Sequence, residues 1–193
     1  MVLSGFLQNL YITKNKLAQP VDKQKFILRK WKSGDAQAIV KHANNKNIAK
    51  FLRDSFPSPY TFVDASHWIQ YANCGVNGVQ LAIVVNEEVI GCVGVEIKDD
   101  VYRKSAELGY WLGEDYWNKG IMTKAVKQMV EYAFLNLNIV RLFAYVFEGN
   151  NASCRVLEKA GFILESIQKM AIYKNGKLKD QLIYAMVRLE EVK

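Results

Sequence analysis

Apolar residues recur at three- and four-residue steps through Met122, Ala125, Val126, Met129, Ala133 and Leu137, which predicts one long helix from Gly120 to about Leu137. The stretch before it, Ser105–Gly113, predicts a strand, joined to the helix by a short polar loop. Six further apolar runs predict strands at Phe26–Trp31, Val79–Val85, Glu88–Lys98, Val140–Phe147, Phe162–Tyr173 and Leu178–Arg188. Asn86-Glu87 and Asn175-Gly176 read as hairpin turns. Helical spacing also covers Asp35–Ala43, with Asp35 as its cap, then Asn47–Leu52 and Asp64–Ala72. A fifth helix starts at a cap on Asn150 and ends at Gly161, which has the character of a C′ glycine. Residues 1–24 show no sustained period apart from one helical turn around Leu7–Ile12, and Pro20 closes them as an extension.

This order is β, helices, three strands, helix, strand, helix, two strands. It predicts an α/β (α+β) domain over 25–193, with a mixed central sheet of about seven strands flanked by helices. A chain of 193 residues, half of them hydrophobic and only three of them proline, buries a full core without disulfides or metal. Cys74, Cys92 and Cys154 lie far apart without CxxC spacing and read as reduced core or near-core thiols. The two histidines, His42 and His67, are too few for a His-rich metal centre and read as structural. No apolar run is long enough to span a membrane and no secretory signal pattern opens the chain, so the expected location is cytoplasmic. The formal charge of +7 suits an anionic partner: nucleic acid, an acidic protein or a polyphosphate cofactor. The lysines are scattered rather than gathered in a run, which weakens the nucleic-acid reading.

Charge acquires a location in the loop Glu114-Asp115-Tyr116-Trp117-Asn118-Lys119-Gly120. At Lys119-Gly120 loop becomes helix, and the first N–H groups of a helix have no internal partner. The helix dipole favours negative charge there, and glycine keeps bulk away. A phosphate-bearing ligand is the natural guest. An ordinary βα connection with one turn glycine has the same pattern.

The wider pattern settles more. Glu107-Leu108-Gly109-Tyr110-Trp111-Leu112, the loop Trp117–Met122 and the downstream Asn150-x-x-Ser153…Glu158-Lys159-x-Gly161-Phe162 together resemble the GNAT superfamily of acyl-CoA N-acyltransferases. The branch most resembled is that of RimJ/RimL-type ribosomal-protein N-acetyltransferases, which Arg53-Asp54-x-Phe56-Pro57-x-Pro59-Tyr60-Thr61 also matches. The likeness spans about residues 25–190. It implies acetyl-CoA as co-substrate, no metal, and a primary amine as acceptor, either a protein N-terminal α-amine or a small-molecule amine. A monomer or homodimer is expected, without membrane or nucleic acid as partner.

In that family the loop reads Gln/Arg-x-x-Gly-x-Gly/Ala, and its amides hold the coenzyme pyrophosphate. Gly120 agrees, whereas Trp117 and Met122 depart, and Asn118 stands where many members have a second glycine. The resemblance assigns Lys119, Gly120, Ile121, Met122 and Thr123 to the pyrophosphate and the strand residues Tyr110, Trp111 and Leu112 to the pantetheine arm. That strand is expected to splay from Leu142–Tyr145, leaving backbone groups for an extended ligand and an N–H near Leu112 for the thioester oxygen. Asn150, Ser153 and Arg155 complete the coenzyme contacts.

N-acylation needs a neutral amine, so a base at the reaction centre is useful. Glu107 matches the strand carboxylate that serves as base in some members, and strand alternation sets it on one face with Gly109 and Trp111. Many members place a tyrosine acid where this chain has Leu157, so Ser153 is the candidate to hydrogen-bond the leaving sulfur. Arg53, Tyr60, Trp68 and Tyr173 are the candidate acceptor liners. Ordinary structural roles stand beside these: a strand-end Glu107, a helix-capping Asn150, a first-turn Ser153 and solvated charges at Arg155 and Lys159. Two other classes compete, a non-catalytic acyl-CoA-binding module of the same fold and a nucleic-acid-binding protein.

Overall fold

The computed structural model describes residues 25–188; the extension predicted over 1–24 and the end of the domain predicted past 188 lie outside them. Seven strands form one sheet in the order β1-β2-β3-β4-β5-β7-β6. They are β1 (Ile27–Arg29), β2 (Gly78–Val85), β3 (Glu88–Ile97), β4 (Ser105–Leu112), β5 (Arg141–Phe147), β6 (Ile163–Lys174) and β7 (Lys177–Val187). The helices are α1 (Ala36–Ala43), α2 (Lys46–Ala49), α3 (Phe62–Cys74), α4 (Ile121–Asn136) and α5 (Asn151–Ala160). All neighbours pair antiparallel except β4 and β5. Both predicted hairpin turns form: Asn86 and Glu87 have φ of 47° and 68°, and Asn175 and Gly176 have 52° and 75°, the doubly positive pattern that matches strand twist.

Local differences from the sequence reading have physical causes. Asp35 does not cap α1. Its carboxylate instead takes both guanidinium nitrogens of Arg29 at 2.7 Å and the Lys32 amide at 2.7 Å, closing a 3-10 turn over Ser33–Asp35. The first strand is correspondingly shorter than its apolar run, and Trp31 leaves it to donate its indole N–H to the Gln80 carbonyl at 3.1 Å. The second helical stretch shrinks to one turn, capped by Asn45 accepting from the Asn47 amide at 2.7 Å. The third helix starts earlier than expected, because Thr61 and Asp64 form a reciprocal capping box, a T-x-x-D signal readable in the sequence.

The sheet is covered on both faces. One core joins α4 and α5 to the strands through Ile121, Val126, Met129, Leu142, Val146 and Leu157. The other joins α1 and α3 to the strands through Trp31, Ile39, Tyr60, Ile69 and Val89. Of the three cysteines, Cys92 is buried and Cys154 half-buried as expected, whereas Cys74 is exposed, since it ends α3 on the solvent side. His42 is buried, 2.8 Å from a Glu88 carboxylate oxygen and edge-on to Tyr116, while His67 is exposed on α3. No helix among the described residues is long and apolar enough to cross a membrane.

Leu157 is 0% exposed and holds α5 against the sheet. Leu157→Ala is expected to lower the free energy of unfolding by about 2–5 kcal/mol, the range for truncating a fully buried leucine, as read from the urea midpoint at unchanged slope.

Candidate active site

The one parallel pair in the sheet is also the shortest contact between long neighbours. Ser105, Ala106 and Glu107 pair with Arg141, Leu142 and Phe143, and there the ladder stops. β4 stays paired to β3 through Leu112, and β5 stays paired to β7 through Phe147. The two halves of the sheet therefore part beyond Glu107, as the splay expected at Tyr110–Leu112 requires.

Which groups face the gap follows from alternation. The Gly113 amide donates to the Ile90 carbonyl at 2.8 Å, and the Lys98 amide to the Ser105 carbonyl at 2.9 Å, so odd-numbered residues of β4 bond to β3. The amides and carbonyls of Leu108, Tyr110 and Leu112 then turn toward the gap. The last pair, Glu107 with Phe143, occupies the Leu108 amide, and the Trp117 indole N–H donates to the Leu112 carbonyl at 2.7 Å. Beyond that pair the Tyr110 amide and carbonyl and the Leu112 amide face the gap, where an extended ligand can meet them.

Because β4 and β5 are parallel, the helices that follow them begin at the same edge of the sheet, where ligands of such sheets collect. The two N-termini differ. At α5 the Asn150 side chain accepts from the Ser153 amide at 3.2 Å, so the end is capped. At α4 no side chain caps the end, and Gly120 stands at the cap position with φ of 75°. A Cβ on Gly120 would meet nothing within 4 Å, so there is open space beside the helix end, and the Ile121, Met122 and Thr123 amides have no acceptor within the helix. Asn118 has φ of 59°, a left-handed conformation that asparagine tolerates better than other residues with a side chain, which explains how it can replace glycine there. The loop is fastened from outside. Glu114 accepts from Asn45 at 2.6 Å and Asn47 at 3.1 Å, and Lys119 lies 5.2 Å over the Tyr116 ring. Lys119 is thereby turned onto an aromatic face near the helix end. Arg155 is exposed on the first half of α5.

On the opposite face of β4, Gly109 is exposed at the middle of the sheet, and a Cβ there would also meet nothing within 4 Å. It floors an open trough. Trp111 stands on one side with Phe56 against it at 6.1 Å, and Tyr145 of β5 on the other, with the Arg53 guanidinium 6.0 Å from its ring. Glu107 lies at the closed end of the gap, its side chain 13% exposed. One carboxylate oxygen pairs with Arg53 and the other with Lys98 at 2.7 Å. Arg53 is 56% exposed at its side chain, so it is the partner free to swing. Its loop is tied to the β6–β7 hairpin by Lys174, whose side chain is 9% exposed and whose ammonium reaches Asp54 at 2.6 Å.

The four candidate liners are not all on this trough. Arg53 is. Tyr60 is 6% exposed, 4.9 Å behind Phe56, and burial pushes its phenol up to about 12. Trp68 packs into the α1–α3 core against Trp31 at 6.1 Å, because its helix turns that side toward the sheet. Tyr173 is 71% exposed beside the hairpin tip. Phe56, Lys98 and Tyr145 border the trough without having been singled out in the sequence. The alternation that flags Glu107, Gly109 and Trp111 could have flagged Tyr145, since Phe143 and Tyr145 share a face of β5. On the other face of the gap, the Tyr110 hydroxyl lies 2.6 Å from Ser153 Oγ. No group of three or more His, Cys, Asp or Glu among the described residues is placed to hold a metal.

The acetyltransferase (GNAT) domain family matches residues 25–163. A putative ribosomal N-acetyltransferase of Bacillus subtilis, YdaF, is 32% identical over 121 residues, which is 63% of this chain and 64% of that protein. Among solved structures, the ribosomal L7/L12 alpha-N-protein acetyltransferase RimL in complex with coenzyme A superposes with a TM-score of 0.74. It is 25% identical, and the match covers 88% of this chain and 97% of RimL. The microcin C7 self-immunity acetyltransferase MccE, in complex with acetyl-CoA and AMP, gives a TM-score of 0.73 at 26% identity over 84% of this chain and 92% of MccE.

If the open end of α4 holds the coenzyme diphosphate, Gly120→Glu sets a carboxylate against it. Calorimetric titration should show coenzyme A affinity falling about a hundredfold, the loss of one or two charge-assisted hydrogen bonds. Gly120→Asn, which tolerates the same φ, should bind within a few-fold of the wild type. Equal affinity in a folded Gly120→Glu protein would exclude the site.

Proposed function

The chain belongs to the GNAT acetyltransferase family, and from that premise we propose that it moves an acetyl group from acetyl-CoA to a primary amine by direct attack in a ternary complex. Its fold and family are those of N-acetyltransferases that use acetyl-CoA. The observation that carries the reading is the coincidence of two features at one sheet edge, the interrupted β4–β5 ladder and the uncapped end of α4. The coenzyme diphosphate lies against the amides of Ile121, Met122 and Thr123. The pantetheine arm pairs with the gap-facing amide and carbonyl of Tyr110, and the Leu112 N–H polarises the thioester oxygen. Trp117 holds the Leu112 carbonyl, so the peptide that follows is fixed at both ends.

The acceptor enters from the trough over Gly109. An α-amine titrates near 7.8 and is neutral in an appreciable fraction at working pH, whereas an alkyl amine near 10.4 is almost wholly protonated. Glu107 takes the proton of a protonated amine once Arg53 swings off its oxygen, directly or through water. A protein N-terminus suits the open trough; RimL is named an alpha-N-protein acetyltransferase of ribosomal L7/L12, and YdaF a putative ribosomal N-acetyltransferase. A small-molecule amine suits the same chemistry. The free thiols and a coenzyme A thioester donor fit a cytoplasmic enzyme. The double ion pair of Glu107 is the observation that would favour a coenzyme-binding module without turnover.

Thiol release from acetyl-CoA, measured against N-terminal peptides, polyamines and aminoglycosides, should detect at least one acceptor. Tight coenzyme binding with no release across the panel would support the non-catalytic module instead. Glu107→Gln should slow turnover more at low pH than at high pH, since a base is needed less once the amine is already neutral. An identical wild-type to variant ratio from about pH 6 to about pH 9, a span that brackets the α-amine pKa, would remove Glu107 from that role.

A further inference from the structure

The strand that borders the gap also reaches across it. Tyr110 projects from β4 toward α5, and its hydroxyl is 2.6 Å from Ser153 Oγ and 3.3 Å from the Ser153 carbonyl. Two hydroxyls at the shorter distance share one donated proton, and the other O–H must point elsewhere. A phenol is the stronger acid of the pair, so its proton occupies the short contact and the serine proton is left over. Burial of the hydroxyl raises the Tyr110 phenol above its ordinary range, which keeps it protonated and donating. The Asn150 cap fixes the serine backbone at the same time. Leu157, one turn further on, is buried and brings no hydroxyl to the gap.

We propose that Tyr110 is a positioning residue for Ser153. By donating to Ser153 Oγ it leaves the serine O–H directed into the β4–β5 gap, where it hydrogen-bonds the sulfur of the departing coenzyme. The inference rests on the acetyl transfer proposed above. In that step the C–N bond forms to the acetyl carbon and the C–S bond breaks with its electron pair on sulfur. The amine's surplus proton leaves through Glu107 or solvent. Ser153 keeps its proton and supplies a charge-assisted hydrogen bond to the departing thiolate, which as an alkyl thiolate can leave unprotonated.

Tyr110→Phe removes the hydroxyl alone. Its kcat should fall about tenfold with KM for acetyl-CoA nearly unchanged, a fraction of the range for proton-handling groups. Ser153→Ala should fall at least as far, and the double variant should be no slower than Ser153→Ala, because Tyr110 acts only through the serine. A second readout needs no acceptor. Coenzyme A and desulfo-coenzyme A are titrated at rising alkaline pH, so that the thiolate fraction of coenzyme A grows through the series. The wild type should prefer coenzyme A by about tenfold, the scale of one hydrogen bond to a charged group, and both single variants should lose that preference. Multiplicative kinetic losses in the double variant, or a preference that Tyr110→Phe leaves intact, overturn the proposal. A wild type that binds coenzyme A but releases no thiol overturns the transfer reading and leaves the calorimetric comparison to decide this one. Failure of the wild type to bind coenzyme A overturns both.

Discussion

Between β4 and β5 the sheet is joined by three residue pairs and then parts, and that interruption locates every group of the site. A buried backbone amide without a partner costs about 1–3 kcal/mol, so strands diverge at their ends only where water or a ligand replaces the missing bonds. The fold tolerates the gap because each half is complete without it. β4 is zipped to β3 along its length, and β5 to β7 along its own. The apolar cluster under α4 and α5 spans both halves, with Val93 and Leu108 on one side and Leu142, Val146 and Tyr184 on the other, so side chains hold the halves together where the backbone ladder stops.

The parallel direction of this one pair does further work. It requires a crossover, which α4 supplies, and it sets the start of α4 beside the start of α5. One of those starts is closed by Asn150 and the other is left open at Gly120. Two chemically similar helix ends thus differ in what they offer, because a side chain satisfies a donor at one and none does at the other. The loop before the open end is held by Glu114, Trp117 and the Tyr116–His42 contact. A ligand would therefore meet amides already in position, and little ordering entropy would oppose binding.

The two faces of the gap serve different chemistry. Toward α5, two hydroxyls are packed together at Tyr110 and Ser153. Toward α3, the trough over Gly109 is lined by aromatic rings and a carboxylate held between two cations. A carboxylate paired on both oxygens is ordered but engaged, and its more exposed partner belongs to a loop that the β6–β7 hairpin grips through Lys174 and Asp54. That loop thus bridges the hairpin and the carboxylate facing the trough through two ion pairs.

The chain's periodicity and turn residues carried the element order, the mixed seven-stranded sheet, both hairpins, Asn150 as a cap and Gly120 at an open helix end. Those features depend on residues within about one helical turn of each other, where steric and hydrogen-bonding preferences act along the chain. The Thr61–Asp64 capping box was equally local and readable. Other features were settled only by tertiary structure. Asp35 serves Arg29 rather than α1, Tyr60 lies behind Phe56, and Arg53 reaches Glu107 across 54 positions of sequence. Tyr110 meets Ser153 across 43. Each of these depends on which face of one element packs against which face of another, and periodicity along a single segment sees a face without knowing its partner.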